Sequence, residues 1–466
     1  MEAENDPPLV IHDVHFVGGE HRGAYNVTIE HGRVRCIAPS PAPDGPPVQV
    51  PGSTNINGNH GIIMPSMCHP HIHLDKPYLI HNGPSMACGR FSEALELTNF
   101  SKQDYTEQDL LERGRRLILE SVQAGVTSMR AHVEVDKLVH LKCLDVGLAL
   151  KKEFGPQGRG ICDIQIAVFA QEPVFAGDDN GQSMRKLFFH ACATEGVDVV
   201  GSTPYLESTT KLSKQNINWI VDVAMLHRKH LDLHLDYTLD VKYEPLVYHL
   251  IKTLKTRNWT SLMPSILRVT LGHCTRLSLF PAFQLKQLQA KISSRNLPIH
   301  FIGLPMSDLY MMGRGATDDP AMGGGAVPRG TIPVLDWIGN HGFNVALGVN
   351  NVGNAFTPMG GADPLAMIAG IGMVYQGGSQ NDCRLLLECI TTRAKDSIGA
   401  LQEGDRNGTS DDGLMISVGD KADIVIVGAR NRDMGIHELL VDPGYERIVI
   451  KNGNVISKRV VEMWTA

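Results

Sequence analysis

The chain lacks any CxxC pair among its nine cysteines, and nine is an odd number. That pattern argues against a disulfide scaffold and for a reduced, cytoplasmic enzyme. It also lacks clustered lysine and arginine: 43 basic residues stand against 50 acidic ones, a formal charge of −7. Nucleic acid and anionic membrane are therefore not expected as partners, because both need concentrated positive charge. No apolar run is long enough to span a bilayer. The longest, Pro364 to Tyr375, is interrupted by Gly370 and Gly372. The N-terminus, MEAENDPPLV, is acidic and has no apolar h-region, so a signal peptide is not expected. No GxGxxG follows an early strand, and no GxxxxGKS/T occurs, which removes the usual support for a nucleotide-binding sheet.

What is present is a globular composition, 42% hydrophobic and 20% charged over 466 residues, sufficient for a sizeable core. The first 40 residues read as short strands broken at Gly18-Gly19 and His31-Gly32, followed by a proline-rich connector from Ser40 to Pro51. The C-terminal end has the same texture. Ile424 to Val427 is an apolar strand, and Arg447 to Ile450 meets Val455-Ile456 across the turn Lys451-Asn452-Gly453. Unpaired, such strands would be aggregation-prone edges, so the two chain ends are expected to pair into one small domain.

Between them, strand and helix patterns alternate. Thr106-Glu-Gln-Asp109 predicts a capped helix that stops at Gly125. Strands are expected from Val126 to Val133, Cys162 to Phe169, Val197 to Gly201, Leu231 to Leu235, Arg268 to Leu271, Ile299 to Ile302 and Val345 to Leu347. The predicted class is α/β: a (β/α)8 TIM-type barrel over residues 62–400, with a small β-sandwich domain assembled from residues 1–61 and 401–466. A doubly wound open sheet is the alternative.

In a barrel of this kind the C-terminal ends of the strands carry the chemistry. A first strand read as Ile62-Ile-Met-Pro-Ser-Met67 runs into His69-Pro-His71-Ile-His73-Leu-Asp75-Lys76. Alternation puts His71 and His73 on one side, where two imidazoles can grip one cation. His132, His234 and His273 each end a later strand. Any one of the 20 histidines means little alone; an HxH pair followed by single histidines at strand ends predicts a metal site.

The chain resembles the cytosine-deaminase branch of the amidohydrolase superfamily. The resemblance runs almost end to end. It is carried by Pro70-His-Ile-His-Leu-Asp75, Gly125-Val-Thr-Ser-Met-Arg-Ala-His-Val-Glu-Val-Asp136, Ile164 to Glu172, Val199-Val-Gly-Ser-Thr-Pro204, Leu233-His-Leu-Asp236, Leu271-Gly-His-Cys-Thr275, Leu347-Gly-Val-Asn-Asn-Val352 and Gly419 to Ile426. The resemblance implies one divalent metal, zinc or iron, on His71, His73 and His234. It further implies that His273 contacts a metal-bound hydroxide and that Gln171 reads the substrate amide. A small-molecule substrate and assembly into a homo-oligomer are expected on the same ground.

Two positions depart from that pattern. The family's proton-shuttling glutamate is Tyr237 here, and its metal-binding aspartate is Asn350, followed by Asn351. Tyrosine, with a reference pKa near 10, is a poor base at neutral pH, and asparagine offers only a neutral carbonyl oxygen. Asp236 is the nearest carboxylate able to replace the shuttle, although orienting a histidine is its plainer role. Asn350 and Asn351 are placed against the substrate. Glu134 and Asp136 are read as structural, Glu172 as a pocket or loop acid, Met311-Met312 as packing, and Ala321 to Pro328 as a surface loop or lid. The expected activity is hydrolysis of a non-peptide C–N bond in a cyclic amide, amidine or amino-heterocycle. The alternatives are a non-hydrolytic lyase, isomerase or cyclase using Tyr237, and an inert ligand-binding relative.

Overall fold

The computed structural model describes residues 7–17, 23–41, 50–81, 85–177, 179–313, 329–401, 413–429, 435–462 and 464. Its central element is a ring of eight parallel strands: β1 (Met67–His73), β2 (Val126–Glu134), β3 (Asp163–Ala170), β4 (Val197–Ser202), β5 (His230–Leu235), β6 (Val269–His273), β7 (Ile299–Gly303) and β8 (Val345–Leu347). Each strand pairs in parallel with the next. Closure comes from Asn350, just past β8. Its amide donates to the His71 carbonyl at 3.1 Å, and the His73 amide donates to the Asn350 carbonyl at 2.8 Å. The peptide that shuts the barrel thus lies between two of the predicted metal ligands.

Local sequence explains the helix that feeds β2. Thr106 Oγ1 accepts from the Asp109 amide and opens Glu107–Ala124, which ends on Gly125 with φ 113°. A Cβ at Gly125 would stand 2.8 Å from Met67 Cε and 2.9 Å from Val425 Cγ2. Left-handed backbone and close approach both require glycine there.

The chain ends pair as expected. Eight further strands form one hydrogen-bonded sheet, in which Ile62–Pro65 runs antiparallel to Ile424–Val427. Residues from both ends share a core: Leu9, Ile11, Val27, Ile29 and Val34 pack with Ile63, Ile424, Ile426 and Ile450. The opposite face of the same strands, Ile62, Met64, Val425 and Val427, joins the barrel core. Burial on both faces makes Ile62–Pro65 read like a barrel strand. It belongs instead to the β sheet, and the first barrel strand begins at Met67. The hairpin turn has Asn452 at φ 48° and Gly453 at φ 80°, the positive angles its Asn-Gly predicts. Residues 402–412, just after the predicted C-terminal domain boundary, and the Ala321 to Pro328 loop lie outside the described residues. Among the described residues, no helix is long and apolar enough to cross a membrane.

Candidate functional site

Alternation along β1 turns His71 and His73 into the barrel mouth, and the end of β5 brings His234 to meet them. His71 Nε2 lies 3.1 Å from His234 Nε2, and His73 Nε2 lies 3.2 Å from the same atom. All three rings are buried. Burial pushes the His71 imidazole down to about 3 and holds His73 and His234 well below the usual imidazole value. Neutral rings are the form that binds a cation. Nitrogens bound tetrahedrally at 2.0–2.1 Å would stand ~3.3 Å apart, close to the observed spacing. Three converging Nε2 atoms share too few protons to satisfy one another, whereas a divalent metal satisfies them all. The residues fit the group.

A charged layer lies beneath. Asp232, two residues before His234 and on the same face of β5, has Oδ1 3.6 Å from His71 Nδ1 and 3.3 Å from His132 Nε2. Its Oδ2 is 3.1 Å from Arg130 Nη1 and accepts from Thr270. Burial alone would raise this carboxyl, but His132 and His71 hold it well below the carboxylate range. His132 packs against His71, with ring centroids 3.9 Å apart and planes tilted by 31°, rather than joining the three ligands. The i, i+2 spacing of Arg130 with His132 and of Asp232 with His234 was a legible signal for this layer.

On the other side, β6 ends with His273 at φ 67° and Cys274 at φ 49°. Two successive left-handed residues are costly, at about 1–3 kcal/mol each, and persist where the surrounding structure holds them. They present His273 with Nδ1 2.7 Å from Asp308 Oδ1, while Asp308 Oδ2 accepts from Thr331 Oγ1 at 2.7 Å. Asp308 is fully buried. Nothing local in the sequence singles it out, since it sits on the short helix Pro305–Met311 after β7.

Tyr237 stacks on His273 with ring centroids 3.7 Å apart, and its hydroxyl donates to the Ser307 carbonyl at 3.4 Å. Burial drives its phenol well above the ordinary value. Tyr237 is therefore a neutral hydroxyl and not a base. Asn350 Nδ2 donates to Ser307 Oγ at 2.7 Å, and its Oδ1 is buried without a hydrogen-bond partner. Asn351 Oδ1 accepts from Asn354 Nδ2 at 2.9 Å.

Asp236 does not reach the site as a shuttle. Its φ of 50° breaks the strand alternation, and its two oxygens accept the amides of Leu246 and Val247 at 2.7 and 3.1 Å. It caps the start of the helix Val247–Thr256. Glu134 pairs with Lys76 and Lys102, and Asp136 with Lys102, a structural network. Glu172 accepts from Asn99 Nδ2 at 3.3 Å and is not among the residues that line the cavity described below. Met311 packs in an apolar cluster with Tyr237 and Phe356.

The remaining predicted residues come together. His73, His234, His273, Tyr237, Gln171, Asn350 and Asn351 line one cavity, joined by Lys76, Phe169, Phe91, Tyr205 and Phe356. Phe91 is the centre of the aromatic wall, with centroids 5.7 Å from Tyr237, 5.7 Å from Phe356 and 6.3 Å from Tyr205. The aromatics and Lys76 were not anticipated as pocket residues, because they arrive from separate loops.

No family model matches the chain, and no curated protein is similar to it in sequence. Solved structures are similar in fold. A 5-methylcytosine deaminase from Klebsiella pneumoniae liganded with 5-fluorocytosine aligns with TM-score 0.78 and 20% identity, over 98% of this chain and 99% of that one. An N-isopropylammelide isopropylaminohydrolase from Burkholderia multivorans aligns with TM-score 0.72 and 21% identity, over 97% and 98%. An adenosine deaminase from Xanthomonas campestris with bound zinc aligns with TM-score 0.60 and 15% identity, over 96% and 92%. The likeness to these structures is one of fold: a parallel (β/α)8 barrel joined to a β domain built from both chain ends.

Proposed function

We propose that this protein is a metal-dependent hydrolase of a non-peptide C–N bond in a cyclic amide, amidine or amino-heterocycle. The observation that carries the reading is the convergence of three buried Nε2 atoms, His234's standing 3.1 Å from His71's and 3.2 Å from His73's, beside a carboxylate-backed histidine. Deaminase and aminohydrolase chemistry among the fold's solved relatives supports it.

His71, His73 and His234 would hold the metal. A divalent cation there supplies Lewis acidity and lowers the pKa of water at the site. This chain's own residues handle the proton. The Nδ1–H of His273 donates to Asp308, which leaves the Nε2 lone pair for the pocket, the arrangement of a general base held in one tautomer. His273 can thus accept a proton at Nε2 and return it to the departing nitrogen, the two tasks for which a glutamate is absent. Tyr237 lies flat on His273 and limits its rotation. The aromatic wall excludes water and accepts a planar ring.

Release of ammonia or amine from aminopyrimidines and aminotriazines, and ring opening of cyclic imides, in ¹⁸O-water tests this. The reading expects one solvent oxygen on the carbon whose C–N bond broke, with activity lost to a chelator and restored by zinc or iron. Turnover that leaves no solvent oxygen in the product would contradict it.

A further inference from the structure

The recognition wall of the pocket is built from donors. Lys76 is buried, and its Nζ donates to Gln171 Oε1 at 2.8 Å and to Glu134 Oε2 at 3.2 Å. An ammonium cannot accept, so Gln171 must turn its oxygen toward Lys76. Its amide oxygen is thereby occupied, and what Gln171 can offer a ligand is Nε2–H. Lys76 has three N–H bonds and two partners, so one N–H is left for the pocket it lines. Lys76 is held on both sides: Asn354 Nδ2 donates to its backbone carbonyl at 3.0 Å, and its Nζ stands 5.6 Å from the centroid of the Phe169 ring. Among the described residues lining the cavity there is no aspartate or glutamate, and Lys76 is the lysine or arginine they include.

We infer that Lys76 and Gln171 together form an oxygen-reading subsite, selective for a planar heterocycle that presents an anionic or strongly polarised oxo edge. A glutamine free at both ends would read a substrate amide through its N–H and C=O alike. Here the acceptor half is taken, so a substrate N–H at this edge would face only donors, while a deprotonated imide or enolate oxygen meets two. As a statement about substrate the inference rests on the hydrolase reading; as a statement about binding it stands on the lysine–glutamine contact.

The test is calorimetric binding of barbiturate, an anionic oxo-pyrimidine at neutral pH, against uracil, its neutral analogue. The proteins are wild type, Lys76→Met and Gln171→Glu, each checked for an unchanged melting profile. The inference expects wild type to prefer barbiturate by about 10-fold or more, the scale of one charge-assisted hydrogen bond, and both variants to lose that preference. Gln171→Glu carries the test should Lys76→Met fail to fold. Equal binding of the two probes, binding of neither, or a preference retained in a folded variant would overturn it. Release of amine from neutral heterocycles with no anion preference would sink this inference alone. Anion preference without any turnover would sink the hydrolase reading and leave the subsite standing.

Discussion

His273 Nδ1 and Asp308 Oδ1 are 2.7 Å apart, both buried, and the pair stands next to three converging histidine nitrogens. On the proposed hydrolase reading, this contact stands in for the missing glutamate. It positions an imidazole whose outer nitrogen can exchange a proton with a bound substrate.

Asp308→Asn is therefore expected to reduce kcat by about 10²–10⁴-fold, because the amide no longer fixes the histidine tautomer. Bound metal should remain at the wild-type level. Steady-state rates measured beside metal content check this, and a fall of less than about threefold would remove His273 from proton transfer.

Asn350→Asp should tighten the metal. The side chain lies against Ser307, whose hydroxyl can turn from accepting the asparagine amide to donating to a carboxylate. Adding an anionic oxygen to a set of neutral ligands should raise zinc affinity by about 10–100-fold. Competition against a chromophoric chelator reads the change, and unchanged affinity would place Asn350 away from the metal.

How much of this was legible follows from where each signal is stored. The choice of His234 over His132 and His273 comes from the family resemblance, whereas His71 and His73 follow from alternation, a local property. The Thr106 cap and the Asn452-Gly453 turn are local too. Asp308 and the Lys76–Gln171 contact come from residues far apart in the chain, 35 and 95 positions in the two pairs, and no periodicity reports such pairing. Asp236 was misread for a different reason: its left-handed backbone cancels the alternation that would aim it inward. Ile62–Pro65 was misplaced because a strand buried on both faces reads the same in either sheet.

Acid should destabilise the fold through buried histidines outside the metal site. Burial pushes His230 down to about 2 and His300 to about 4. His230 Nδ1 accepts the Arg268 amide, which requires the unprotonated ring. Both pKa values are depressed on folding, so the unfolded chain binds the extra protons. Stability is then full above about pH 6.5 and falls as pH drops below it. Two such groups would cost roughly 4 kcal/mol at pH 5 relative to pH 7. Urea unfolding at the two pH values checks the sign, and a midpoint that rises on acidification would contradict it.

The central claim is that three neutral histidines hold a metal without an acidic ligand. The direct measurement is metal content by plasma mass spectrometry, wild type beside His234→Ala, after dialysis against metal-free buffer. The account predicts about one equivalent of zinc or iron in wild type and its loss in the variant. Wild type that retains no metal, or a His234→Ala protein that retains as much, would contradict it.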